Sequence, residues 1–496
     1  MERSRIKKHQ IKVNLPGGIV SVGDLSVILE TLESAGIENV RFGTRQQLYF
    51  SASSAQLEDI EHGFLMSDTD FETDADRHPN IVSSYVAEEL FNNSNWLREG
   101  VYKDILDSFG HTPGLKINLI DDSQTLVPFF SGNLNFISSD IGNYWHLYVR
   151  FPKTNTIYYW SSLVCSEDIA PLSEMIESMI LGHKHLYYDQ AEADGQQLEN
   201  TIKTKGNFLF QSPQSLLRAP DFQVPYYEGF NKYNEKYWLG IYRRNELFPV
   251  AFLKELCDIC RKTRIGQLYT TPWKSIIIKE VAPTDRKLWN AVLDKNRINV
   301  RHASNELNWQ TEDLCEEGLA LKHELIREFN EYDLRTFKLC FAIKINPKSG
   351  LFGAVIIRKQ AVTADSDATT LFDLLHTVDF NPNSKHYSSY AQGLRKTDLF
   401  SSLVRLCEDY YQLQTLAAGK QPDNYYETSN NIESEITYVY QCGRCLSIYD
   451  ELWGEESQEI PAGTPFSALP TDYCCPLCEA GLAQFTPIIK ETLNTF

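Results

Sequence analysis

The chain has 496 residues, 42 % hydrophobic and 23 % charged, with 47 basic against 66 acidic side chains and a formal net charge of −19. That length exceeds one hydrophobic core and predicts three or four domains of ordinary globular composition. The acidity argues against nucleic acid or an anionic membrane as the main partner, and no run of 18 apolar residues offers a membrane span.

In chain order, the basic residues 1–10 are followed by no apolar stretch, so no signal peptide is expected. Residues 13–20 read as a strand with a turn at Gly17-Gly18. A helix capped by Asp24 follows over 25–33, with Leu25, Ile28, Leu29 and Leu32 on one face, and residues 40–50 read as one alternating strand. The pattern returns more than 220 residues later: a strand at 239–242, a turn at 245–248, a helix over 253–261 and a closing strand over 268–278. Leu25 to Thr44 and Leu253 to Thr271 are similarly spaced, and such a repeat predicts two sheets paired about a pseudo-twofold axis. Cys257 and Cys260 fall on the second helix beside Leu253 and Leu256, where they are expected to pack as small apolar groups.

Between the copies, a helix near 87–90, strands at 116–120, 134–137 and 145–151 and a helix over 170–180 are predicted. After the second copy come a helix over 311–329, strands over 336–345 and 350–357, and a last helix over 397–413. Residues 417–435, rich in Gly, Pro, Asn, Ser and Glu, read as a linker. The 11 cysteines show no disulfide-framework spacing, so a reducing cytoplasm is the expected location.

The last segment carries Cys442-Gly-Arg-Cys445 and Cys475-Pro-Leu-Cys478, two hooks whose four thiolates suit a single iron or a zinc. With Tyr440, Tyr449-Asp450, Gly454, Pro461, Phe466, Leu469-Pro470, Tyr473 and Phe485 at their intervals, residues 440–485 resemble a rubredoxin. The resemblance implies one Fe(II/III) held by Cys442, Cys445, Cys475 and Cys478. Tyr440, Phe466, Tyr473 and Phe485 would then form the core of a module too small to stand without its metal. Leu446 and Glu479 depart from the family by replacing the glycine usual after each hook, and Cys474 adds a fifth thiol, expected to pack without ligating. Seven carboxylates against one Arg and no Lys predict docking on a basic patch of a redox partner.

The preceding region also resembles a family. Gly17-Gly18-Ile19-Val20, the helix, Thr44-Arg45-Gln46 and the second copy's Thr271-Pro-Trp-Lys274 are similar to the ferredoxin-like half-domains of the nitrite and sulfite reductases. The implied fold class is a multidomain α/β (α+β) protein: half-domains at 10–55 and 230–285, larger α/β domains at 75–225 and 290–416, a linker at 417–435 and the rubredoxin module at 436–488. In that family sirohaem and a 4Fe-4S cluster lie between the domains. Arg45 and Lys116 match cations that meet the anion and the sirohaem carboxylates, but Gly114 replaces the partner of a Lys-x-Lys pair. The cluster needs two cysteine pairs. Only Cys315 stands near the first, and residues 346–350 hold none, so a 4Fe-4S cluster is not expected and sirohaem is not favoured. No catalytic residue is assigned.

The expectation is a one-electron carrier on a degenerate reductase scaffold, delivering electrons to a redox partner such as a nitrite or sulfite reductase. Two alternatives stay open: a working sirohaem reductase with a built-in donor, and a structural four-cysteine zinc module.

Overall fold

The computed structural model describes residues 8–92, 96–217, 222–300, 303, 305–336, 338–347, 349–360, 370–384, 386–418, 438–444, 447–451, 454–455, 458, 460–461, 463–476 and 480–489. They belong to two units, 1–418 and 419–496, each described by itself.

The repeat is built as strand Lys8–Val13, short strand Ile19–Ser21, helix Val22–Ser34 and strands Asn39–Phe42 and Leu48–Ser53. The second copy is Lys236–Ile241, Phe248–Pro249, helix Val250–Thr263, Gln267–Thr270 and Ile276–Val281. Numbers in the second copy run 228 above those in the first: Val22 and Val250 open the helices, Asn39 and Gln267 the next strands, Leu48 and Ile276 the last. The single strand expected over 40–50 is a hairpin. Gly43 N–H donates to Gln47 O at 2.8 Å, and Gln46 turns the chain at φ 65°. Thr271 to Ser275 and Lys274 at φ 57° repeat this turn, so Gly43, not Thr44, is the counterpart of Thr271. Ser21, not Asp24, caps the first helix. Its Oγ accepts from Asp24 N–H at 2.9 Å, while the Asp24 carboxylate accepts from the Ser21 hydroxyl.

Each copy lends a strand to the other. Ile19–Ser21 pairs with Gln267–Thr270 at the edge of the second copy's five-stranded sheet, and Phe248–Pro249 pairs with Asn39–Phe42 at the edge of the first. Leu25, Leu29 and Leu32 share one core with Leu253, Leu256, Cys257 and Cys260. Both cysteines are fully buried, and burial pushes their thiols well above the ordinary value.

Within the same unit, each of two further sheets, in the segments expected to form the larger domains, begins with two parallel pairings and then turns antiparallel. The first has Val82–Ser83, Ile117–Ile120, Leu134–Ser138 and Tyr144–Arg150, the second Trp309–Thr311, Phe341–Lys344, Val355–Lys359 and Leu371–Thr377. The helix expected over 311–329 begins at Glu316, because Thr311 ends a strand and the Cys315 sulfur accepts from Gly318 N–H at 3.4 Å. Among the described residues, Phe341–Lys344 of 336–345 and Val355–Lys359 from the 350–357 region are what pairs as strands, and Tyr85–Ala87 is a single 3-10 turn. The last helix, Lys396–Ala418, takes in the first two residues of the expected linker, and 419–437 lie outside the described residues. Among the described residues no helix is long and apolar enough to cross a membrane.

The second unit is a three-stranded antiparallel sheet, Ile448–Tyr449, Tyr438–Cys442 and Phe485–Ile489 in that spatial order.

Candidate metal centre and scaffold cleft

In the small unit the two hooks close alike. Cys442 N–H donates to Ser447 O at 2.8 Å and Cys475 N–H to Ala480 O at 2.7 Å, each five residues on. Gly443 N–H reaches Gln484 O at 2.7 Å, and a Cβ at 443 would stand 3.1 Å from that oxygen, so the smallest residue suits the first hook. Cys442 and Cys475 are fully buried. The hooks meet: Ser447 Oγ, from the first, lies 2.9 Å from Cys475 Sγ, in the second. Cys445, Cys478, Leu446 and Glu479 lie outside the described residues.

The wall of this site is aromatic, as the spacing predicts. Tyr440 stacks on Phe466 at 3.9 Å, and Tyr473 lies 5.9 Å from Phe485. Tyr449, which the sequence marks only as following the hook, is the most buried ring, with its hydroxyl donating to Thr464 O at 2.7 Å. Cys474 is half-buried, and its carbonyl accepts from Gln458 Nε2 at 2.6 Å. Among the described residues, Cys442 and Cys475 bring two buried sulfurs on matched turns into an aromatic cluster, a donor chemistry that suits a thiolate-bound metal.

In the scaffold unit, Arg45 and Lys116 are brought together beside a cavity of about 170 Å³, also lined by Thr44, Glu312, Asp313 and residues 349–352. Arg45 is 7 % exposed. Its guanidinium donates to Asn80 O at 2.7 Å, Ile117 O at 2.9 Å and Asn118 Oδ1 at 3.2 Å, and burial pulls its pKa down to about 9. Burial and the neighbouring Arg45 lower Lys116 to about 8.

Two cations that the sequence reading did not select join them. Arg150 donates to Gly132 O and Ser131 O, and Lys344 is lowered to about 8 by burial and Arg150. They sit on strands of different sheets, and only the fold makes them neighbours. Acids from the second larger domain close the cavity. Asp313 accepts from Thr44 N–H and hydroxyl, and Glu312 accepts from Asn346 N–H and Nδ2. Nearby Trp273 meets Phe352 edge-on at 5.6 Å and donates its indole N–H to Leu126 O at 2.7 Å, tying both larger domains together.

Residues 439–485 match the family described as Rubredoxin. The probable rubredoxin HupI of Bradyrhizobium diazoefficiens is 42 % identical over 59 residues, which are 12 % of this chain and 86 % of that protein. The anaerobic nitric oxide reductase flavorubredoxin of Escherichia coli O9:H4 is 37 % identical over 65 residues, 13 % of this chain, and the chain spans 14 % of that relative's length. Through this segment the chain belongs to the rubredoxin family, electron-transport proteins whose iron is bound by cysteines. The solved Mycobacterium tuberculosis NirA protein is 12 % identical, with 84 % of this chain and 82 % of that one covered at a TM-score of 0.62, a likeness of fold. The chain carries a rubredoxin domain after a region that shares the fold of the NirA protein.

Proposed function

We propose that Cys442, Cys445, Cys475 and Cys478 hold a single iron, and that the protein relays one electron to or from a redox partner in nitrite or sulfite assimilation. Bound iron supplies an Fe(III)/Fe(II) couple that needs neither proton nor group transfer. The observation that carries this reading is the matched closure of the two hooks, with Cys442 and Cys475 buried and the hooks touching through Ser447. The aromatic cluster shields the Cys442 and Cys475 sulfurs from water. The seven carboxylates of 440–485 favour a partner with a basic docking patch.

The NirA-like region is, on this reading, a docking body that has lost reductase chemistry. The residues present do not fit sirohaem: Arg45 is committed to backbone carbonyls, and about 170 Å³ is well short of the roughly 300–1,000 Å³ of ordinary ligand pockets. Cys315 caps a helix, and residues 346–350 supply no thiolate for a cluster.

The test is metal analysis of the anaerobically purified full chain from iron-replete cells. One iron per chain, no acid-labile sulfide, and a red colour bleached by dithionite are expected. Cys445→Ser should lose the iron and Cys474→Ser retain it. Colourless protein with one zinc would overturn the iron assignment, and four further irons with matching sulfide would overturn the lost cluster.

A further inference from the structure

The two hooks are matched in backbone but differ by one hydroxyl. Ser447 and Ala480 hold equivalent places, each five residues after the cysteine whose N–H its carbonyl accepts. From the first, a side-chain oxygen reaches 2.9 Å from Cys475 Sγ, a fully buried sulfur. Ala480, itself buried, has no hydroxyl to offer.

We propose that Ser447 donates its hydroxyl proton to the Cys475 thiolate and thereby raises the reduction potential of the iron. The inference rests on the four-cysteine iron reading above. A metal-bound thiolate carries no proton, so in this pair the hydroxyl is the donor and the sulfur the acceptor. A hydrogen bond to ligand sulfur draws electron density out of the metal–sulfur bond. The reduced site holds one more negative charge than the oxidised site, so the bond strengthens on reduction and favours it. Cys475 is fully buried and Ser447 partly so, which lowers the local dielectric and strengthens the interaction. Ser447 is thus a tuning residue that acts through Cys475. The effect falls on one hook alone, because Ala480 breaks the symmetry.

The experiment is a potentiometric titration of the full chain, followed by its thiolate-to-iron absorption, for the natural protein, Ser447→Ala, Ser447→Thr and Ser447→Val. Loss of the hydroxyl in the Ala and Val variants should weaken reduction about tenfold, a fall of ~59 mV for one electron. Ser447→Thr should keep the natural potential. Thr and Val share a shape and differ in the hydroxyl, so that pair decides the matter if the Ala variant fails to hold iron.

A second readout is the set of iron–sulfur stretching frequencies in H₂O and D₂O. The natural protein and Ser447→Thr should show an isotope response that Ser447→Val lacks. Coincident potentials across variants that are red and hold one iron would overturn the proposal while leaving the iron centre standing. A colourless zinc protein would remove both.

Discussion

Arg45 is a cation with four hydrogen bonds already made to protein oxygens. Its hydrogen bonds go to carbonyls of residues 80 and 117 and to Asn118, so it joins a half-domain hairpin to the adjoining sheet. Lys116, next to it, is a second cation whose charge the fold disfavours. An unfolded lysine holds its proton to about pH 10.5, whereas Lys116 holds its own only to about 8, because burial and Arg45 oppose the charge. Between those values the unfolded chain binds more protons, so stability rises with pH there. The cost of Lys116 is fully present below about pH 8 and is gone above about 10.5. Replacing it by methionine should therefore stabilise the scaffold at pH 7 by roughly 1–3 kcal/mol. The variant should also rise less steeply in Tm than the natural protein between pH 8 and 10, which a pH series of calorimetric scans reads directly. A less stable Lys116→Met at pH 7 would mean that the ammonium is satisfied by an anion after all.

At the scale of elements, the two copies meet at the Gly17-Gly18 turn. Gly18 sits at φ +73°, and a Cβ there would come within 2.4 Å of Gln46 Nε2 and 2.9 Å of Thr270 O. The amide of Gln46 already bridges Ser83 O and Thr270 O. Gly18→Ala is expected to lower the scaffold's stability by about 2–4 kcal/mol, from left-handed strain plus the backbone clash. Gly266→Ala, with open space around its Cβ, should stay within ~0.5–1 kcal/mol of the natural protein, and paired thermal scans make the comparison.

The elements that could be read from sequence were those with a strong apolar face, such as Val22–Ser34 and Val250–Thr263, whose buried leucines repeat at helical spacing. The hairpins were missed because Gln46 and Lys274 adopt positive φ without being glycine. Helix Arg286–Lys295 was missed because it buries only Trp289 and Leu293. Strand Ile19–Ser21 overlaps the strand read over 13–20, but its pairing was hidden because its partner lies far away in sequence.

For the whole molecule, the question is whether the groove between the larger domains still takes a tetrapyrrole. Trp273, on the second copy's turn, packs edge-on against Phe352, and Glu312 and Asp313 bring negative charge to the cavity that Arg45 and Lys116 line. Protein co-expressed with sirohaem synthesis should show no Soret band and no dye-driven nitrite or sulfite reduction. A stoichiometric Soret species whose turnover vanishes in Arg45→Ala would restore the reductase reading. The rubredoxin segment was legible because its cysteines and aromatics keep fixed spacings along the chain. Ser447 was not, because its contact with Cys475 forms only when distant hooks fold together. Arg150 and Lys344 were hidden for the same reason: their proximity is a product of packing, and no local pattern encodes it.

The exchanged strands also impose an order on biosynthesis and a limit on gene rearrangement. A nascent chain emerging from the ribosome cannot finish its first sheet until Phe248–Pro249 has been made, and the second sheet draws its edge from Ile19–Ser21, made more than 200 residues before the strand it pairs with. For most of the intervening translation the first copy waits with an open edge, a state that invites association with other chains. Neither copy is a self-sufficient cassette. A break in the gene between them would leave two fragments, each lacking a strand that only the other carries, so duplication here has ended in mutual dependence.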